Sequence, residues 1–454
     1  MRDLRKKALL ESQKTVSRKA RARPESTRTS ANHSPDVSPG NSRAGSRANS
    51  RPNSRPGSRY ASEDEGASDS ELDVMTMSTN SASGDDTFDD DPSNTWAERL
   101  STRVGELQDR KRNAESREAT LAAYLHLIRH HFAENQIGRL SSDIISALLR
   151  SFREGASEQE RVSALKALMV TLLTSPSEKS SGALLSTLKS LCQEAEEEKV
   201  KALAIYALMI TVTHGGGGDA VGEDLLDFLL EIIESDGESV EASDSGAVVT
   251  AALRAWGFVA SFLDDMAERG EHVMDAFIDQ LDSTDPEVQS SAGTNIASLF
   301  EAAREHEEET GESNKMQHHT YRIMSRMSEI VKDSSKSISK KGRKQLRFNF
   351  ASIVTSLERG VGPGYSTAGR GYNPHVGGAK LRVQDGFEEF GYQETLRVHN
   401  QVVLIDSWLL HVRVEALKML LGGGLPTHYL ENPVVRDMLE TAEVNYVLTG
   451  NDRK

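Results

Sequence analysis

From Trp96 to about residue 304 the sequence is written almost entirely in the period of amphipathic helices. Trp96, Leu100, Val104 and Leu107 make the first apolar stripe, and Leu121, Tyr124, Leu125 and Ile128 the second. Ile144, Ile145, Leu148, Leu149 and Phe152 follow, then Val162 to Leu172, Leu184 to Leu191, Val200 to Leu208, Leu225 to Ile232, Val248 to Leu263 and Val273 to Leu281. Start signals agree with the stripes. Ser157-Glu158-Gln159-Glu160 reads as a capping box, and Asp285-Pro286 as an N-cap followed by proline in the first turn, where its missing N–H costs nothing.

These helices recur as a repeat. Val162, Val200 and Val288 open similar runs in which Ala164, Ala167, Ala204, Ala207, Ala292 and Ala297 allow close helix approach. Val162 to Val200 is one step and Val200 to Val288 about two, near the roughly 40 to 47 residues of HEAT or armadillo repeats. The expected fold is mainly α: an armadillo/HEAT-like α-solenoid over residues 94–335. Its last helical segment, with Tyr321, Met324, Met327 and Val331, is expected to seal the solenoid end.

Charge is segregated along the flanks. Residues 1–60 carry 15 Lys/Arg against 4 acids, and residues 61–91 carry 11 acids and no base. Residues 1–23 form a basic segment in which Lys6-Lys7 and Arg18 to Arg23 fit a nuclear signal, an RNA-phosphate contact or a solvated tail. Residues 24–93 read as a disordered tail, Ser/Arg-rich and then acidic, because it is poor in residues able to form a core. Within it Ser42, Ser46, Ser50, Ser54 and Ser58 each precede an arginine. Phosphorylation there would exchange a cationic strip for a mixed or anionic one. One cysteine, Cys192, rules out an intrachain disulfide and falls on an apolar helix face, so it reads as core. No apolar run has the length of a membrane span, and the N-terminus lacks an apolar signal core, which leaves cytoplasm and nucleus.

Residues 336–445 read as a separate small α/β unit. It opens on six cations without an acid between residues 336 and 347, including Lys340, Lys341, Arg343, Lys344 and Arg347. A helix, a short strand Val402–Ile405 and an amphipathic helix stopped at Gly422-Gly423-Gly424 follow, with a glycine-rich insertion at 360–391. Lys344-Gln345-x-Arg347-x-x-Phe350, then Ile405-Asp406-x-Trp408, then Leu421-Gly422-x-Gly424 with His428-x-Leu430 and Asn432, resembles the C-terminal block of the interferon-related developmental regulator family. The resemblance is looser over the preceding helices and does not reach residues 24–95. It implies a non-enzymatic regulator. Members of that family dock on ribosomes, with the C-terminal segment in the space of mRNA and tRNA, and are also ascribed co-repressor and histone-deacetylase contacts.

Nothing in the sequence assembles a catalytic or cofactor site. Gly360-Val361-Gly362-Pro363-Gly364 and Gly215–Gly218 lack the Gly-Lys-Ser/Thr end of a phosphate loop. His126, His130 and His131 share a helix but have no third ligand type in a metal pattern, and read as surface or packed histidines. Asp406 and Trp408 each have two readings: a helix cap and a core side chain, or a surface anchor for a partner. The basic run is the stronger binding signal, since six cations with no acid among them exceed what solvation requires. The functional expectations are therefore ribosome or ribosomal-RNA binding with translational repression, or nuclear co-regulation through chromatin co-repressor proteins. Nuclear import is disfavoured: Trp256 is followed one turn on by Ala260, not by the asparagine of an import ladder. No membrane, small-molecule substrate, metal or cofactor is expected.

Overall fold

The computed structural model of the protein describes residues 95–446, apart from 110, 177–180, 215–217, 264–265, 312–319, 334–339 and 365–393. Its helical part comprises α1 (Trp96–Gln108), α2 (Ala114–His130), the single turn α3 (Glu134–Ile137), α4 (Ser141–Glu154), α5 (Glu158–Thr174), α6 (Ser181–Glu194) and α7 (Glu198–His214). It continues with α8 (Gly218–Glu234), α9 (Gly246–Ala260), α10 (Met266–Gln280), α11 (Pro286–Thr310), α12 (Thr320–Asp333) and α13 (Lys340–Arg359). Local chemistry sets the starts. Thr95 and Glu98 exchange side-chain and backbone hydrogen bonds in a full capping box at α1, and Asp285 accepts from the Glu287 and Val288 amides at α11. Ser157 caps α5, but only half of the expected box forms there. The Glu160 carboxylate accepts from the Arg117 guanidinium and the Ala156 amide instead of closing on Ser157.

Helices α2, α5, α7, α9, α11 and α13 stand side by side in one inner row, and α1, α4, α6, α8, α10 and α12 cover its outer face as the partners of helical hairpins. Every residue from Val162 to Thr174 and from Val200 to Val212 is buried, as is α9 from Val248 to Ala260 apart from Arg254. A helix apolar on all sides needs neighbours on all sides, and two flanking helices plus one outer helix leave one face of each still uncovered. Five bonds between successive repeats join residues 42 to 47 apart: Tyr124–Thr171, Arg117–Glu160, Ser245–Glu198, Gln280 with the Ile233 carbonyl and Asn295 with the Leu253 carbonyl. Arg161–Glu197 and Arg254–Glu287 are closer in sequence, 36 and 33 residues apart. The period read from the sequence is thus near the spacing of the longer of these bonds, and the mainly α solenoid-like architecture is as expected.

The C-terminal segment supplies the missing cover. Strands β1 (Glu394–Val398), β2 (Gln401–Ile405) and β3 (Val444–Tyr446) form an antiparallel sheet in the order β1-β2-β3, with Val398 opposite Gln401 and Val403 opposite both Leu396 and Val444. The tight turn His399-Asn400 places His399 at φ 51. Helix α14 (Trp408–Leu421) then crosses the inner row, packing on α11, α9, α5 and α2. After the Gly422–Gly424 turn, α15 (Leu425–Glu431) packs against α2 and α16 (Pro433–Met438) against α5.

Two sequence expectations change. The cationic helix does not open a separate α/β unit: α13 pairs with α12 and packs on α11 through buried Phe350 and Ile353 and the bond from Asn349 Nδ2 to Ser290 Oγ. Nor does the later segment stand apart with one strand. It has three strands, and its main helix lies on the solenoid because the inner row is apolar on the face that the outer helices leave open. The glycine-rich insertion beyond residue 364 lies outside the described residues, as do Ser42, Ser46, Ser50, Ser54 and Ser58 and the two flanking tails.

Candidate functional site

The seam between the inner row and α14–α16 gathers polar groups from residues far apart in sequence. Ser407 caps α14 by accepting from the Leu410 amide, and Glu301 of α11 reaches the same helix end, accepting from the Trp408 N–H at 2.8 Å and the Leu409 N–H at 3.3 Å. Asp406, expected as a cap, is exposed one residue too early. One turn on, Val412 faces Gly257, and the Arg413 guanidinium donates to Ser261 Oγ, the Ser261 carbonyl and the Met438 carbonyl while lying over the Phe262 ring at 4.3 Å. At the other end, His428 Nε2 meets the Ile128 carbonyl at 3.0 Å, and Asn432 Nδ2 donates to the Leu173 carbonyl at 3.0 Å. Both carbonyls belong to the last turns of inner helices, where backbone acceptors lack helical partners.

The turn between α14 and α15 fits only because it lacks side chains. A Cβ at Gly424 would lie 1.7 Å from the Arg129 carbonyl oxygen, and one at Gly422, which has φ +51, would lie 2.8 Å from Arg129 Nη2. Trp408 is 3% exposed, so the core reading describes it and the surface-anchor reading does not; its indole N–H is buried without a partner.

Electrostatics at the seam are uneven. Burial pushes the Glu301 carboxyl up to about 7, despite the opposing pull of the Trp408 and Leu409 amides. Arg129 is 6% exposed and burial alone lowers its pKa, with no acid opposing it. Glu394 of β1 shows the reverse. Burial would raise its pKa, but His411 at 2.6 Å and Lys418 at 3.5 Å outweigh burial and hold it at about 2. Glu394, His411 and Glu415 bring three potential metal-ligand atoms within 4.8 Å of one another. The Lys418 ammonium, 2.7 Å from Glu415 and 3.5 Å from Glu394, places a positive charge in that cluster and helps tie the sheet to α14.

Lys340, Lys341, Arg343 and Lys344 fall in the first turns of α13 and Arg347 about two turns from its start; Arg347 is exposed, and the side chains of residues 340–344 lie outside the described ones. The basic run therefore sits at the end of the repeat row, while Asp406 and Trp408 sit at the seam, and the three are not one site. His131 stacks on Trp96 at 4.5 Å, His126 meets His130 edge-on, Trp256 is 1% exposed against Phe277, and Cys192 is buried with its thiol pushed up to about 12. None of these forms a nucleophile–base pair, and no helix among the described residues is long and apolar enough to cross a membrane. The seam residues Glu301, Arg413 and Arg129 carried no sequence signal, nor did Asn295 within the inner row. His428 and Asn432 did, as the histidine and asparagine one turn apart in the C-terminal block.

A family model described as interferon-related developmental regulator matches residues 70–358. The match ends one residue before the end of α13, so it spans the repeat row, part of the acidic segment before it and the first motif of the C-terminal block, Lys344 to Phe350, but nothing of that block after residue 358. The chain is also similar to an uncharacterized protein of Schizosaccharomyces pombe, at 24% identity over 370 residues that make up 76% of this chain and 75% of that relative.

Proposed function

The chain belongs to the interferon-related developmental regulator family, and on that premise we propose that it is a non-enzymatic regulator of gene expression, a helical-repeat scaffold that binds the ribosome and represses translation. The observation that carries the reading is the position of the basic run. Six cations fall between residues 336 and 347, and five of them open or follow the start of α13, the last inner helix of the row. The inner face, which helical-repeat proteins often offer to partners, is occupied by α14–α16, so a polyanionic partner would meet the end of the row. Contacts of Lys340, Lys341, Arg343, Lys344 and Arg347 with ribosomal-RNA phosphates would release counterions and make binding salt-dependent.

The test is cosedimentation of the full chain with ribosomes across a salt series, with circular dichroism of each variant. Changing the five cations to glutamine should flatten the salt slope by about 0.7 to 0.9 for each phosphate no longer neutralised, and changing them to glutamate should weaken binding further. A glutamine variant with wild-type affinity and slope would remove the assignment. If the wild type never cosediments but is recovered with chromatin proteins, transcriptional co-regulation through co-repressor and histone-deacetylase complexes takes its place. The acidic helical region and the basic segment ending at Arg23 favour that second reading.

A further inference from the structure

We propose that Glu394, His411 and Glu415 form a zinc-binding site that fastens the C-terminal sheet to α14. Each offers one ligand atom, and the three atoms lie within 4.8 Å of one another. Zinc holds imidazole nitrogen and carboxylate oxygen at about 2.0 to 2.2 Å, which sets tetrahedral ligands about 3.4 Å apart. The separations here bracket that value: His411 Nδ1 is 2.6 Å from Glu394, and the widest is no more than 4.8 Å. The fold holds the ligands in place. His411 and Glu415 stand one turn apart on one face of α14, and the His411 ring packs edge-on against Trp408 at 5.3 Å. Glu394 is positioned by the pairing of β1, where it lies opposite Ile405. The set is not legible in the sequence, because Glu394 lies 17 residues before His411, on the far side of the hairpin.

The donor set selects the ion. One imidazole nitrogen with two carboxylate oxygens suits zinc, whereas calcium and magnesium require larger sets made of oxygen alone. Charge points the same way. Two carboxylates face one ammonium, that of Lys418, so with a neutral imidazole the group carries a net charge of −1. Zinc in place of the ammonium sets +2 against two carboxylates, a neutral assembly and the cheapest kind to hold out of water. Lys418 is the group able to leave, since its side chain is 36% exposed and its contact with Glu394 is 3.5 Å long. Arg254, on the α9 that α14 crosses, is engaged by Glu287. Glu415 is 44% exposed, so water reaches the fourth tetrahedral position. Because the ligands come together only when β1 lies against α14, the ion stabilises that joint by mass action.

The experiment titrates the metal-free full chain with Zn²⁺ by calorimetry, and with Co²⁺, whose visible absorption reports tetrahedral ligation. A single ion should bind and slow amide exchange in β1 and the first turns of α14. His411→Gln and Glu394→Gln should each weaken binding about tenfold or more and abolish the cobalt absorption. Lys418→Met should instead tighten binding, because the ion no longer has an ammonium to displace; an ion-pair cluster with a structural role alone gives no such gain. Circular dichroism accompanies each variant, and if His411→Gln does not fold, Glu415→Gln, the most exposed ligand, serves in its place. Three results would overturn the site: a wild type that binds no zinc, binding unchanged by the ligand variants, which would move the ion to other histidines such as His126 and His131, and a Lys418→Met variant that binds no more tightly than the wild type.

Discussion

Glu301 is a buried carboxylate facing two backbone amides, and its titration should be readable in the stability of the protein. Its folded pKa, about 7, lies above the ordinary 4.5. The folded state therefore holds a proton that the unfolded state has released between those values, and stability falls as pH rises from about 4.5 to about 7. Glutamine keeps an acceptor oxygen and does not ionise. The stability difference between wild type and Glu301→Gln, from urea unfolding at a series of pH values, should be flat below 4.5, shift against the wild type by up to a few kcal/mol through that window, and be flat above it. Parallel curves would mean that Glu301 does not titrate there. Glu394 does not blur the result. Its depressed pKa gives stability that is fully present above 4.5 and lost as pH falls toward about 2. Trp408 contributes through volume rather than charge, and Trp408→Ala should cost roughly 3 to 5 kcal/mol in the same measurement. A side chain whose role follows from its own chemistry and its place on an apolar face, such as Cys192, is legible in the sequence as core, whereas for Trp408 the core is one of two readings that the sequence allows. Glu301 is not, because its partners are main-chain amides 107 residues away, which every sequence contains. Asp406 differs from expectation for a smaller reason: serine caps as well as aspartate does, and Ser407 sits at the correct residue.

Among the elements, the turn Gly422–Gly424 decides whether the C-terminal segment can dock. Alanine at 424 would set its Cβ against the Arg129 carbonyl oxygen at 1.7 Å, a clash that backbone atoms cannot relieve without moving. Gly424→Ala should therefore lift α15 and α16, and with them the His428 and Asn432 bonds, off α2 and α5. Amide hydrogen exchange should become faster in α15 and α16 while α7 and α9 keep their protection. Unchanged exchange in both would show that the close approach is not required. Helix periodicity makes the inner helices legible, since the run from Leu203 to Val212 is apolar on every face and can only be a central element. Periodicity does not say what covers the face left open. The first strand is hidden in the sequence because Glu394-Thr395-Leu396-Arg397-Val398 alternates over only five residues beside a glycine-rich stretch. The place of α13 is hidden because its cationic start suggests a boundary, whereas Phe350 and Ile353 further along pack it into the row.

These features make the C-terminal segment the third layer of the solenoid rather than an appendage, and this has a consequence for the protein as a unit. Helices α5 and α9 bury nearly every residue, and part of that burial is supplied by α14 through Val412, Met419 and Leu420. A chain ended at residue 364 keeps α1–α13, the row and its outer cover, but loses this layer. It should melt well below the full chain, bind a hydrophobic dye, and self-associate by light scattering, because the uncovered face is an extended apolar patch. The same truncation separates two surfaces that the intact protein keeps apart. The basic run at the start of α13 remains, so ribosome cosedimentation with a salt-dependent slope should persist if that run carries the binding. A truncated chain that stays folded and monodisperse but no longer cosediments would move the binding surface to the C-terminal segment. A truncated chain as stable as the full one would show that α14 lies on the row without contributing to it, and the buried charges of Glu301 and Arg129 would then have no hold on the fold.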